Sequence, residues 1–388
     1  MVSGRQSVVA NLASLLLVFG CVFSGYGVVG QVAFYSGLIY FLYNIFLQIN
    51  RRSDVLVFLS VLIFSIYSGS GVGGDAGDLK YFIRYQLVTA VILFLLVFMR
   101  SKSNFNTMVI PALGVVQSIV LVSVAVYLSI FGSYDLWQDI RHFVRLNDIG
   151  DIWTTDGFYY RVQLRGNHFV FIAWLFHFIL GDMRTLKDKL IFMILTLGVF
   201  FAGNASYLLC SVALILFYFL KNFRFRYLFL IVFCFVVLVG SGVFDSFANV
   251  LSRKFGGIDS SGGARLEQVT TFFNAIYEEG FYLHGAGAGA PYPTGKYGDS
   301  GSRTLSHYTE LQSLFYMYKF GLFFSFLFIM LVLWPLFCYR DLNRKVFYLF
   351  YIVGSILNPY IYDANHIVVL LTLMSVSHEN TRRSKYLK

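Results

Sequence analysis

Thr107–Phe131 reads TMVIPALGVVQSIVLVSVAVYLSIF, twenty-five residues without one charged side chain. A bilayer-crossing helix needs about 20 such residues, so this stretch is long enough to span. Runs of the same kind recur on both sides of it, near 8–24, 28–48, 55–67, 82–99, 168–181, 190–202, 206–220, 227–243, 312–337, 346–358 and 365–377, with short charged clusters between. Over all 388 residues, 57% are hydrophobic and only 13% charged, about half the charged share of a soluble domain. The 43 Phe and 27 Tyr suit lipid-facing surfaces and interfacial belts, and with only 5 Pro most spans should be uninterrupted. The first run follows Arg5 and has no small-x-small cleavage site after Val22–Phe23, which reads as an uncleaved signal anchor. The expected fold is all-α: a single polytopic integral membrane domain, 1–388, of about twelve transmembrane helices.

The stretch 190–220 is the one place where the number of spans is open, since a break at Ala202–Ser206 makes it either two helices or one bent one. Charge decides between them. With twelve spans and both termini cytoplasmic, the inner segments hold 18 of the 30 basic residues against five acids, and no loop is out of step with the positive-inside rule. The net charge of +10 then reports topology and contact with anionic lipid, not nucleic acid. The four cysteines, Cys21, Cys210, Cys234 and Cys338, lie in or beside apolar runs, so neither a disulfide framework nor a metal cluster is expected.

Two outer loops exceed a simple turn: 132–167 and 244–309. In the first, Asp135–Leu146 (DLWQDIRHFVRL) has helical periodicity, with Leu136, Ile140, Phe143 and Val144 as its apolar face. In the second, Leu266–Tyr277 reads as an amphipathic helix opened by Gly262–Gly263. His284–Pro293 (HGAGAGAPYP) reads as a tight turn allowing close backbone approach, since it lacks the strand and helix of a phosphate-binding fingerprint. Arg141, Arg145, Arg161, Arg165, Arg253, Lys254, Arg265 and Arg303 all sit in these loops, on the side where the topology rule disfavours them. Solvation or pairing with aspartates would account for any one. As a set they offer the forked donors suited to phosphate oxygens, with Arg141, Arg161, Arg165, Arg265 and Arg303 the candidate ligands. At the mouth of the span near 312, Arg303–Gln312 (RTLSHYTELQ) places His307 and Glu310 three apart, on one face if helical. The pair forms a candidate general base and its orienting carboxylate, against the simpler reading of a hydrated interfacial histidine and a first-turn acid. His177, Asn204, Lys319, Asn358, Asp363 and His366 are weaker polar signals in or near spans.

With these residues in view, the chain resembles the superfamily of O-antigen polymerases and O-antigen ligases of bacterial inner membranes. The resemblance rests on four features: the large loop in the C-terminal half; Gly262–Gly263–Ala264–Arg265 followed by an amphipathic helix; the G-x-G-x-G turn at Gly285, Gly287 and Gly289; and His307, Leu311, Gln312 and Gly321 leading into a span. It covers about 190–335 by motif and the first half by topology. One departure stands out: where members carry Ser-Arg after the seventh or eighth span, this chain has Asn204–Ala205–Ser206. The resemblance implies a GT-C-like, multi-pass inner-membrane glycosyltransferase with both termini cytoplasmic. It also implies a metal-independent and cofactor-free reaction on an undecaprenyl-diphosphate-linked oligosaccharide at the periplasmic face, with a chain-length regulator protein as a partner. Divergence from the Ser-Arg element favours a polymerase over a ligase acting on the lipid A core. A flippase or transporter for lipid-linked sugars is the competing class, and it would concentrate charge within the spans rather than in outer loops.

Overall fold

The structure, a computed structural model, describes residues 2–23, 28–74, 76–147, 149–154, 160–181, 183–221, 269–270, 272–274, 276–294, 304–306, 312–356 and 359–386. It is mostly helical. In order come α1 (Val2–Val22), α2 (Val28–Phe46), α3 (Arg52–Gly69), α4 (Leu79–Val97), α5 (Val109–Phe131), α6 (Tyr134–Leu146), strands β1 (Gly150–Thr154) and β2 (Tyr160–Leu164), then α7 (Asn167–Leu180), α8 (Leu186–Ala202) and α9 (Ala205–Lys221). After them come β3 (Tyr292–Thr294), β4 (Thr304–Ser306), α10 (Gln312–Phe320), α11 (Leu322–Leu333), α12 (Pro335–Cys338), α13 (Leu342–Ile356) and α14 (Ala364–Tyr386). The ends are set by local chemistry. Asp78 caps α4 by accepting from Lys80 N at 2.8 Å, Ser133 caps α6, and Thr185 with Asp188 closes a capping box on α8.

Among the described residues four helices are long and apolar enough to cross a membrane: α2, α3, α4 and α5. Other expected runs appear there as shorter apolar helical stretches, among them Ser7–Val22, Asn167–Leu180, Ser206–Tyr218, Leu322–Cys338 and Ala364–Ser375. The shortening has identifiable causes. Gly321, at φ 79, divides the run 312–337 into α10 and α11, and Gly203, at φ 62, separates α8 from α9. The expected span 227–243 lies outside the described residues.

At Gly203 the chain doubles back, so 190–220 is two helices. The ring of Phe178 lies 5.5 Å from Phe192 near the start of α8 and 5.3 Å from Tyr218 near the end of α9, which puts those two ends together. At the same end His177 Nε2 meets Asp188 O at 2.9 Å and Tyr218 Oη reaches Asn343 Oδ1 at 3.3 Å. In the first half, Gln48 bridges to Lys102 by two hydrogen bonds, of 2.8 and 2.9 Å, tying 47–51 to 99–106.

The core is built around α7, which is buried from Asn167 to His177 and apolar all round. It meets α5 where Gly114 lies against Ala173, and α5 in turn meets α8 where Gly198 lies against Ser118, small residues allowing close approach at both places. By contrast α3 is largely exposed, and apolar side chains such as Val28, Ile39, Leu56, Ile63 and Phe46 present an unpartnered apolar exterior. The described residues of 132–167 pack as one unit. The antiparallel β1–β2 hairpin places Ile152 opposite Val162 and Trp153 opposite Arg161, and β2 packs on α5 and α8. The helix α6 buries Trp137, Val144 and part of Ile140 against this hairpin, whereas Phe143 is 61% exposed. The expected face of Leu136, Ile140, Phe143 and Val144 is therefore rotated toward Trp137, whose indole donates to Ile152 O at 3.2 Å.

Candidate functional site

Two constellations form at the end where α1, α8 and α13 finish and α4, α7 and α14 begin. The first is knitted from backbone. Residues 68–78, rich in glycine, interlock with 285–290: Gly285 N donates to Ser68 O at 3.1 Å, Val72 N to Gly285 O at 3.0 Å, Ala288 N to Gly69 O at 2.8 Å and Asp78 N to Gly289 O at 3.1 Å. Glycine is required because a Cβ at 285 would run into the Lys319 backbone and one at 289 into the carbonyls of Ala76 and Asp78. The close backbone approach expected of His284–Pro293 is what the structure shows. Beneath it Lys319, fully buried, donates from Nζ to Ala288 O at 2.7 Å and Ala290 O at 2.8 Å, and lies 4.4 Å from the ring centroids of Tyr85 and Phe315. Its three protons thus face two carbonyls and two π-faces, so Lys319 fastens the turn to α10. Beside the turn opens a groove of about 580 Å³ lined by Ser70–Gly74, Glu279, Gly280 and Tyr282–His284. Among its described lining residues Glu279 carries the formal charge, and the ring of His284 rests 4.1 Å from that of Tyr67.

The second constellation is polar and buried. His168, at the start of α7, sits between Tyr207 Oη at 3.0 Å and Ser355 Oγ at 3.2 Å. His366, at the start of α14, lies between Ile361 O at 2.7 Å and Tyr348 Oη at 2.9 Å. Tyr351 stands between the two imidazoles, with ring centroids 5.6 and 5.4 Å away. Asp363, in the connection before α14, accepts from Asn365 N and Asn365 Nδ2, both at 2.8 Å. Burial pushes its carboxyl up to about 7, against the opposing pull of those bonds and of the Arg84 charge. Cys21 Sγ reaches Ala364 O at 3.6 Å, and Gly166 lies against Val22, so the first loop, α1 and α14 meet here.

The sequence-expected ligands divide. Arg161, on β2, lays its aliphatic stem over Gly203, and Arg165 follows the same strand with its side chain exposed. Both stand at this end of the bundle. Arg141 has a structural assignment instead: Nε and one Nη engage Asp151 at 2.8 and 3.5 Å, and the guanidinium lies 3.9 Å from the ring of Trp153 and 5.5 Å from that of Trp137. His307, Glu310, Arg265 and Arg303 lie outside the described residues. Sequence reasoning read His168 only as the opening of a span and did not single out Tyr207, Tyr348, Tyr351 or Ser355. The available signal was positional, since each is a polar or phenolic side chain within an otherwise apolar run. Among the described residues no group of three His, Cys, Asp or Glu could hold a metal ion.

No family model, curated protein or solved structure matches the chain.

Proposed function

We propose that the chain is a twelve-span, multi-pass glycosyltransferase of the bacterial inner membrane, both termini cytoplasmic, that polymerises undecaprenyl-diphosphate-linked oligosaccharide repeat units at the periplasmic face. The observation that carries the reading is the outer end itself. There the glycine turn picked out by the family resemblance is fastened by Lys319, and Arg161 and Arg165 stand at the same end of the bundle. A polyprenyl donor needs apolar surface for its chain, cations for its diphosphate and a polar space free of cations for its sugars. The exposed faces of α2 and α3, the two arginines and the Tyr282–His284 groove have those characters. The alternation of ends supports the twelve-span reading: 47–51 joins 99–106 at one end, and 68–78 joins 285–290 at the other.

In this mechanism the acceptor hydroxyl oxygen attacks the anomeric carbon as the bond to the diphosphate oxygen breaks. The electron pair leaves with undecaprenyl diphosphate, stabilised by Arg161, Arg165, Arg265 and Arg303. The hydroxyl proton passes to His307, oriented by Glu310, and direct displacement inverts the linkage. Arg141 is left out of the set because Asp151 already holds it. The test is purified protein with lipid-linked repeat units, read as a ladder of chain lengths without lipid A core. His307→Ala and His307→Gln should lower extension by about 10²–10⁴-fold with donor binding intact. Near-normal ladders in both variants remove His307 from the role. Transfer only when core is supplied establishes a ligase, and donor movement across vesicles without extension a flippase.

A further inference from the structure

At the end of the bundle opposite the glycine turn, the chain leaves α12 through Tyr339 and enters α13 at Leu342. Arg344, in the first turn of α13, is only 8% exposed. Its Nε faces Asp341 Oδ2 at 3.5 Å without making a hydrogen bond, and its guanidinium carbon lies 5.2 Å from the ring centroid of Tyr339. Two enclosed polar atoms, Arg344 Nε and Tyr339 Oη, have no hydrogen-bond partner among the described residues. Leaving such donors unsatisfied is costly, and a buried guanidinium is ordinarily fully bonded. The surroundings are cationic. Arg340 is exposed, Lys345 half-buried, and Arg100 stands close enough to Cys338 for its charge to be felt there. Among the described residues here, four cations, Arg100, Arg340, Arg344 and Lys345, thus accompany Asp341. Immediately beside them Trp334, Phe337 and Leu342 expose 48%, 76% and 50% of their surfaces.

We propose that Arg344 and Tyr339 bind the phosphate of an anionic phospholipid whose acyl chains lie along Trp334, Phe337 and Leu342. The guanidinium fork and the phenol O–H all donate, which suits phosphate oxygens and no cationic headgroup. A choline or ethanolamine ammonium would meet four like charges, and that selects a headgroup with net negative charge. The adjoining apolar side chains select a lipid over free phosphate. The site rests on the reading of the chain as membrane-embedded and is independent of glycosyl transfer.

The test is native mass spectrometry of the full-length protein in detergent, titrated with palmitoyl-oleoyl phosphatidylglycerol and, separately, with the phosphatidylcholine of the same chains. Phosphatidylglycerol should be retained in preference at one tight site. Arg344→Gln should weaken it by about 10-fold or more and Tyr339→Phe by several-fold, as expected for loss of charge-assisted bonds. Arg52→Gln, a change at another exposed basic position, should leave it unchanged. Equal retention of the two lipids, or equal affinity in wild type, Arg344→Gln and Tyr339→Phe, overturns the proposal. So does complete displacement by 10 mM inorganic phosphate (about 10 mM, well above any tight site), which would assign a free-anion site. Should Arg344→Gln fail to fold, Tyr339→Phe decides alone, because it keeps the ring under the guanidinium. Chain extension is read separately, so loss of this site and loss of the transferase reading remain distinguishable.

Discussion

Asp363 ties the stability of the connection before α14 to pH. Its folded-state value of about 7 lies above the roughly 4 of an unfolded chain, so the native state holds the proton more tightly. That contribution to stability is complete below about pH 4 and is lost as pH rises through about 7. Asp363→Asn should therefore flatten the dependence of Tm on pH, with the variant gaining on wild type toward pH 8. Parallel Tm profiles for the two proteins would exclude a buried, protonatable carboxyl. Glycine gives a second prediction. Gly285→Ala forces a Cβ into the Lys319 backbone and should cost about 1–3 kcal/mol, as overpacking does. Gly73 has open space and pays only for its φ of 73, about 1–2 kcal/mol. Differential scanning fluorimetry should therefore rank Gly285→Ala at or below Gly73→Ala in Tm, and the reverse order would show that the interlocked turn is loose. Both residues stand in glycine-rich stretches, but only the 285–289 turn was legible as a close approach. Its partner at 68–78 was not, because the bonds joining them are backbone to backbone and leave no side-chain complementarity to read.

Among the elements, the unit of α6 and the β1–β2 hairpin is closed by Arg141, whose guanidinium pairs with Asp151 and faces Trp137 and Trp153. Arg141→Ala and Asp151→Ala should each lower Tm, and the double variant should fall little further, with a coupling energy of about 1–3 kcal/mol. Strict additivity would mean that the pair is not the closure. This unit was only half legible. The periodicity of Asp135–Leu146 shows a helix, but its seated face turns on Trp137, and the hairpin that receives it has two strands of five residues with Asp, Arg and Gln among them. Short strands with such alternation carry a weak signal beside apolar runs of twenty residues. The break at 202–206 was visible in sequence as Gly203–Asn204 within an apolar run, but it left two helices or one bent one open until charge decided, and the structure puts a helix cap there.

Across the whole molecule, hydropathy located the helices well, since each expected run among the described residues coincides with one helix or, at 312–337, with α10, α11 and α12 in succession. It did not anticipate how many fall short of a full span, since a φ of 79 at Gly321 leaves no mark on composition. Sidedness remains a chemical question that labelling answers. Ser103 is only 4% exposed, so cysteines are better placed at Ser53 and Asp139, both exposed. In a background without the four native cysteines, an impermeant maleimide applied to intact cells should modify Asp139→Cys and spare Ser53→Cys. Equal modification would sink the twelve-span arrangement. The interlocked turn also bears on the order of synthesis. The α3–α4 connection closes only on residues 285–290, which leave the ribosome roughly two hundred residues later, a wait of about 10–40 s at ordinary translation speeds. During that interval the glycines of 68–78 stand without their partners, and the nascent chain is open there to proteases and available to a membrane chaperone.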